Sequence, residues 1–169
     1  MTALLVSVAA LIASAPAAAQ PVPATQFNAR LLAAQNVLRV EAKVAQVVWD
    51  NTLATGAEMW AQHLAQTGIF QHSDRHARRG IGENMWYGGH GRYSPEAMVG
   101  LWEAEKRNFV PGIFPNVSRT GNWYDVSHYT QVIWPATQRV GCAVASNART
   151  DYLVCRYATA GNIDGRRVP

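Results

Sequence analysis

Hydrophobic positions recur every three to four residues in two long stretches of the chain. Leu31, Leu32, Ala34, Val37 and Leu38 do so among strong helix formers, which predicts a first helix. Leu53, Ala57, Trp60 and Leu64 line one face of a second, with Asp50 placed to cap its start and Gly68 to end it. Ser94-Pro95-Glu96 opens a third, joining an N-cap hydroxyl, a first-turn proline and an acid near the positive dipole end; it should run to about Asn108. Between the second and third helices the chain is rich in Gly, His and Arg, and only Asn84-Met85-Trp86-Tyr87 resembles a strand. An irregular connection through Pro111, Gly112, Pro115 and Gly121 leads to a short helical segment around Val126 to Trp134.

The last third changes period. Cys142 and Cys155 are symmetric about the Ala148/Arg149 midpoint of a strand-turn-strand segment, so a tight reversal sets them opposite each other. Alternation then places Val140, Val144, Leu153 and Tyr157 on one face of the hairpin and Gly141, Ala143, Tyr152, Val154 and Arg156 on the other. Helices before and after short strands, without repeated strand-helix-strand units, indicate an α+β domain. A three-layer α/β/α sandwich with a largely antiparallel central sheet is expected.

Composition adds compartment and size. With 169 residues, 49% hydrophobic, the chain makes one domain with an ample core. Met1 to Ala19 carries no charge, has an apolar run from Ala3 to Ala13 and ends in three alanines, which reads as a signal peptide cleaved before Gln20. Its apolar run falls well short of the ~20 residues that span a bilayer, so no transmembrane anchor is expected. The expected plan is a signal at 1–19, a short linker at 20–27, the domain at 28–165 and a tail at 166–169. Export to an extracellular or periplasmic space favours the Cys142–Cys155 disulfide, worth ~3 kcal/mol for a loop of that size.

The net charge of +4 raises nucleic acid as a partner. The basic residues are scattered, however, and the densest group, Arg75, His76, Arg78 and Arg79, forms no stripe that would track phosphates. No specific nucleic-acid role follows. Anionic lipid or cell-wall polymer is compatible with the charge.

Candidate chemistry begins with Glu105, which continues the apolar spacing of Met98, Leu101 and Trp102. Placed there, a carboxylate needs a cationic, hydrogen-bonding or metal partner unless it reaches water at the stripe's edge. The histidines, at 63, 72, 76, 90 and 128, show no zinc-finger or metalloprotease spacing. His72-Ser73 and His128-Tyr129 sit at element boundaries, where sites often form.

Four motifs in order make the chain resemble the CAP superfamily, named for cysteine-rich secretory proteins, antigen 5 and pathogenesis-related proteins. They are Gly82-Glu83-Asn84-Met85, Trp102-x-x-Glu105-x-x-x-Phe109, Ser127-His128-Tyr129-Thr130-Gln131-Val132-Ile133-Trp134, and Tyr152-Leu153-Val154-Cys155-Arg156-Tyr157 with Gly161-Asn162-Ile163. The resemblance covers residues 28 to 165. It departs at Gln35, where Gln35-Asn36-x-x-Arg39 stands in place of the family's His-Asn-x-x-Arg, and at Thr159. Gln keeps a hydrogen bond but does not titrate.

Carried over residue by residue, the resemblance implies a central cleft of His72, Glu83, Glu105 and His128, with His76 as the alternative to His72. Two neutral imidazoles, His72 and His128, would ligate a divalent ion, zinc foremost, without obligatory dependence on it. The Cys142–Cys155 disulfide is also a family feature. The resemblance implies a secreted, non-enzymatic module binding a lipid, sterol, peptide or cell-envelope component. The alternative is a metal-assisted hydrolase, a peptidase or esterase, with Glu83 or Glu105 moving the proton and water activated at His128 or a metal. Asn116-Val117-Ser118 is a glycosylation sequon in an expected solvent loop.

Overall fold

The computed structural model describes residues 24–169; the expected signal peptide and the first part of the linker lie outside them. Helix α1 (Ala24–Glu41) starts ahead of the expected domain boundary, so residues 24–27 are helical, and Phe27 already packs against the core. After a two-residue strand β1 (Val48–Trp49), α2 (Asn51–Thr67) is capped by Asp50, whose carboxylate accepts from Leu53 N–H, and stopped by Gly68 in the left-handed conformation at φ 69°. Both capping devices match the sequence signals.

Strand β2 (Ile81–Gly89) is twice as long as the apolar run predicts, because its glycines are held by pairing with the last long strand. Helix α3 (Pro95–Glu103) passes into a 3₁₀ segment, Ala104–Asn108. The following connection contains β3 (Gly112–Ile113), then a 3₁₀ turn, Trp123–Val126, and the short α4 (Ser127–Val132). Strands β4 (Arg139–Ser146) and β5 (Thr150–Ala158) form the hairpin, and β6 (Arg167–Val168) pairs with β3. The segment expected as a tail is therefore tied down, with Val168 fully buried.

The main sheet has the order β1-β4-β5-β2. It is mixed: β1 runs parallel to β4, while β4, β5 and β2 are antiparallel. The strand preceding α2 enters at the sheet's edge in the same sense as β4, a pairing too short to register in the sequence pattern. Cys142 stands opposite Cys155 and the two form a disulfide.

Two hydrophobic layers flank this sheet. Ala57, Ala61 and Leu64 of α2 meet Met85, Tyr152 and Val154 on one side. On the other, Leu31 and Leu38 of α1, Met98, Val99 and Trp102 of α3 and Tyr129 and Val132 of α4 pack with Val140, Leu153 and Tyr157. The two faces of the hairpin divide as alternation requires, giving the α/β/α sandwich. Gly141 lies where α2 begins, and a Cβ there would collide with backbone of Asp50, Leu53 and Ala54. Close sheet–helix contact thus depends on the absent side chain.

Candidate functional site: two histidine–glutamate pairs at an edge strand

The motif Gly82-Glu83-Asn84 lies on β2, the edge strand, so its side chains alternate between the two faces of the sheet. Glu83 turns to the α2 side, opposite its cross-strand neighbour Arg156. Asn84 and Gly82 turn to the α4 side. Asn84 Nδ2 donates to the His128 carbonyl at 3.0 Å, and a Cβ on Gly82 would strike the Gln131 side chain. Three consecutive residues therefore fasten two different segments to one strand.

Glu83 has a side chain with no solvent exposure. It accepts from Ser73 Oγ at 2.6 Å and Ser73 N–H at 3.0 Å, and faces His72 Nδ1 at 2.8 Å. Two guanidiniums complete the surroundings, Arg78 Nε at 3.7 Å and Arg156 Nε at 3.6 Å. Burial on its own would raise the Glu83 pKa; the hydrogen bonds from His72 and Ser73 and the charge of Arg78 outweigh it and bring the carboxyl down to about 2. Such an acid stays ionised at neutral pH.

Glu105 is anchored differently. It leaves the α3 axis in the 3₁₀ segment and reaches the first turn of α4, which lacks a side-chain cap of its own. Its Oε2 accepts from the N–H groups of His128 at 2.9 Å and Tyr129 at 3.0 Å, while Oε1 faces His128 Nδ1 at 2.6 Å. An acid from a neighbouring helix thereby satisfies two of the orphan donors at a helix start, where the dipole favours negative charge. This is the partner that the Glu105 spacing demanded. The stripe itself differs from expectation, because Leu101 is exposed and Val99 takes its place in the core.

In both pairs the carboxylate occupies Nδ1, which leaves Nε2 directed away from it on an imidazole that is 50% exposed for His72 and 32% for His128. Trp102 lies parallel to the His128 ring at 6.1 Å. The structure thus assembles the four residues as two pairs, joined through Glu83's neighbour Asn84 and the His128 backbone. Among the described residues no three His, Cys, Asp or Glu side chains cluster closely enough to hold one metal ion together. His76 is exposed, with its backbone N–H bonded to Asp74, and no hydrogen bond or ion pair joins it to Glu83.

Behind the site runs a buried polar chain. Tyr157 Oη donates to Gln35 Oε1 at 2.7 Å and accepts from Asn84 at 3.4 Å, so Gln35 links α1 to β5 and β2. Burial pushes the Tyr157 phenol well above its usual range, keeping it a donor. Arg39, fully buried, donates to the carbonyls of Ala45, Val132, Trp134 and Thr137 and holds the exit of α4. Asn84, Arg78 and Arg156 were not singled out as site residues from sequence. Period-two alternation from Glu83 to its cross-strand partner was the available signal for Arg156; Arg78 and the inward turn of Asn84 have no local signature.

Residues 32–157 match the family model described as CAP, cysteine-rich secretory protein family, and the chain belongs to that family. Pathogenesis-related protein PR-1 of Medicago truncatula is 30% identical over 143 residues, covering 83% of this chain and 78% of that protein. Scoloptoxin SSD552 of Scolopendra dehaani is 30% identical over 75% of this chain. Venom allergen 5 of Polistes dominula is 32% identical over 72%. The chain spans only 60% of the scoloptoxin and 55% of the venom allergen. The crystal structure of NaASP2 with Zn2+ superposes with a TM-score of 0.67 at 22% identity, covering 83% of each chain, which establishes the common fold. Among the described residues no helix is long and apolar enough to cross a membrane.

Proposed function

We propose that this protein is a secreted, non-enzymatic binding module that takes a lipid, sterol, peptide or cell-envelope component, with a His72/His128 cleft able to hold one divalent ion, zinc foremost. The supporting observation is that both acids are already engaged: Glu83 is buried, ionised and held by His72 and Ser73, and Glu105 caps α4. A general acid or base needs a proton affinity near the working pH and a path to the reacting atom. Glu83 has neither. The hydrolase alternative would rely on His128 or a metal to activate water and on Glu105, already committed to two backbone donors, to move the proton.

The donor set fits a divalent ion in one respect. Imidazoles whose Nδ1 faces a carboxylate present Nε2 as a neutral ligand, the arrangement that orients histidines at zinc sites. His72 and His128 would be the protein ligands, and Glu83 and Glu105 would orient them. The Zn2+ of the NaASP2 structure is that protein's own, and it adds support here only through the common fold. The test compares wild type with His72→Ala/His128→Ala for zinc binding by calorimetry, for lipid binding, and for peptide and ester turnover. Turnover-free lipid binding, with zinc affinity lost in the double variant, is the expected result. Turnover abolished by Glu105→Gln in a folded protein would reverse the assignment.

A further inference from the structure

A cavity of ≈ 700 Å³ lies between the start of α1, the first turns of α2, strand β4 and the loop entering α3. It shares no lining residue with the two His–Glu pairs. At one end Asp151, with its side chain only 8% exposed, faces His90 Nδ1 at 2.6 Å and accepts from Ser146 Oγ at 2.6 Å and Gly91 N–H at 2.8 Å. Burial would raise its pKa, but the bonds from Ser146, His90 and Gly91 outweigh that and hold it below the ordinary carboxylate range. The Ser146 hydroxyl is spent on Asp151 and does not reach the imidazole, so the trio holds no activated serine. It is a negative charge held in place, with the His90 imidazole in front.

The remaining walls decide what fits. Phe27, Trp49 and Tyr93 line the cavity with aromatic surface, and Glu58 adds a second carboxylate from α2. Among the described residues no arginine or lysine lines it, although the chain carries 15 of them and a net charge of +4. An anion would enter against two carboxylates, and the one basic side chain on the described wall, His90, already faces Asp151. A neutral ligand would use the rings and leave the acids without a role. A cation gains both from the negative faces of the rings and from the carboxylates.

We propose that this cavity binds a compact organic cation, an alkylammonium group held among Phe27, Trp49 and Tyr93 and neutralised by Glu58 and Asp151. The assignment is independent of the His72/His128 cleft. The probes are choline chloride and butylammonium chloride, with 3,3-dimethyl-1-butanol as the neutral isostere of choline, titrated into the purified protein by calorimetry and NMR. At least one cation should bind saturably, and the neutral alcohol at least about tenfold more weakly. Glu58→Gln alters an exposed side chain and should fold with unchanged melting temperature, while Tyr93→Leu also gives up an edge contact to Trp86 and should melt a few degrees lower but remain folded at the temperature of the titration; each should weaken cation binding by about fivefold or more. His72→Ala should leave it unchanged. Absence of saturable binding for both cations, equal binding of the alcohol, or wild-type affinity in both cavity variants would overturn the proposal.

Discussion

Replacing Glu83 by Gln should destabilise the fold in a way that disappears in acid. The folded protein holds this carboxyl at about 2 against an ordinary 4.5. Because the folded value is depressed, the ionised group stabilises the native state at every pH above 4.5, and the stabilisation drains away as pH falls from 4.5 towards 2. The two values correspond to ~3 kcal/mol. Gln keeps one acceptor for Ser73 but removes the charge facing Arg78 and Arg156, so most of that contribution should be lost at pH 7. In a domain of this size it amounts to roughly 6–12 °C in melting temperature. The assay is urea unfolding of wild type and variant at half-unit steps from pH 8 to pH 2.5. The difference between the two should be flat down to about pH 5 and then narrow steadily. Glu96 is the control: its carboxyl is also lowered to about 2, through Arg30, but both side chains lie at the surface, so Glu96→Gln should leave the midpoint within about 2 °C. A Glu83→Gln difference below about 1 kcal/mol at pH 7, or one that does not narrow in acid, would show that the buried charge does not carry this stability.

Three further outcomes follow from the packing around the site. Glu105→Ala strips two N–H groups at the start of α4 of their acceptor and should cost about 2 kcal/mol by chemical denaturation, with part of the loss restored in Glu105→Gln. Arg39→Lys keeps the charge but cannot span four diverging carbonyls, and should cost about 2–3 kcal/mol in the same assay. Cys142→Ala/Cys155→Ala should lower stability by ~2–3 kcal/mol, and mass spectrometry of the wild-type protein should show a gain of two hydrogen atoms on reduction.

Legibility differed by element for physical reasons. The caps of α2 and the cross-strand cysteines were readable because each depends on contacts within a few residues or on a hairpin's two-residue period. Glu105 was readable as a problem, a carboxylate amid apolar positions, while its solution in another helix's first turn was not. Strand β2 extends past its apolar centre because pairing with β5 holds Gly82, Gly88 and Gly89 extended, and glycine carries no strand signal of its own. The parallel β1–β4 contact and the β3–β6 pair involve two residues a side, below any detectable periodicity. Arg78 reaches Glu83 from an irregular loop, and no spacing rule connects them.

Glu83 and Glu105 act as anchors that hold His72 and His128 by Nδ1 and present Nε2 outward, and the proposed cleft stands or falls with that role. Imidazole ¹⁵N–¹H correlation spectra, recorded at neutral pH during a zinc titration, read it directly. Both rings should carry the proton on Nδ1 before and after zinc, with the Nε2 resonances of His72 and His128 shifting together to saturation. A ring whose Nδ1 carries no proton in the free protein would contradict the anchoring role, and zinc shifts confined to other histidines would contradict the cleft.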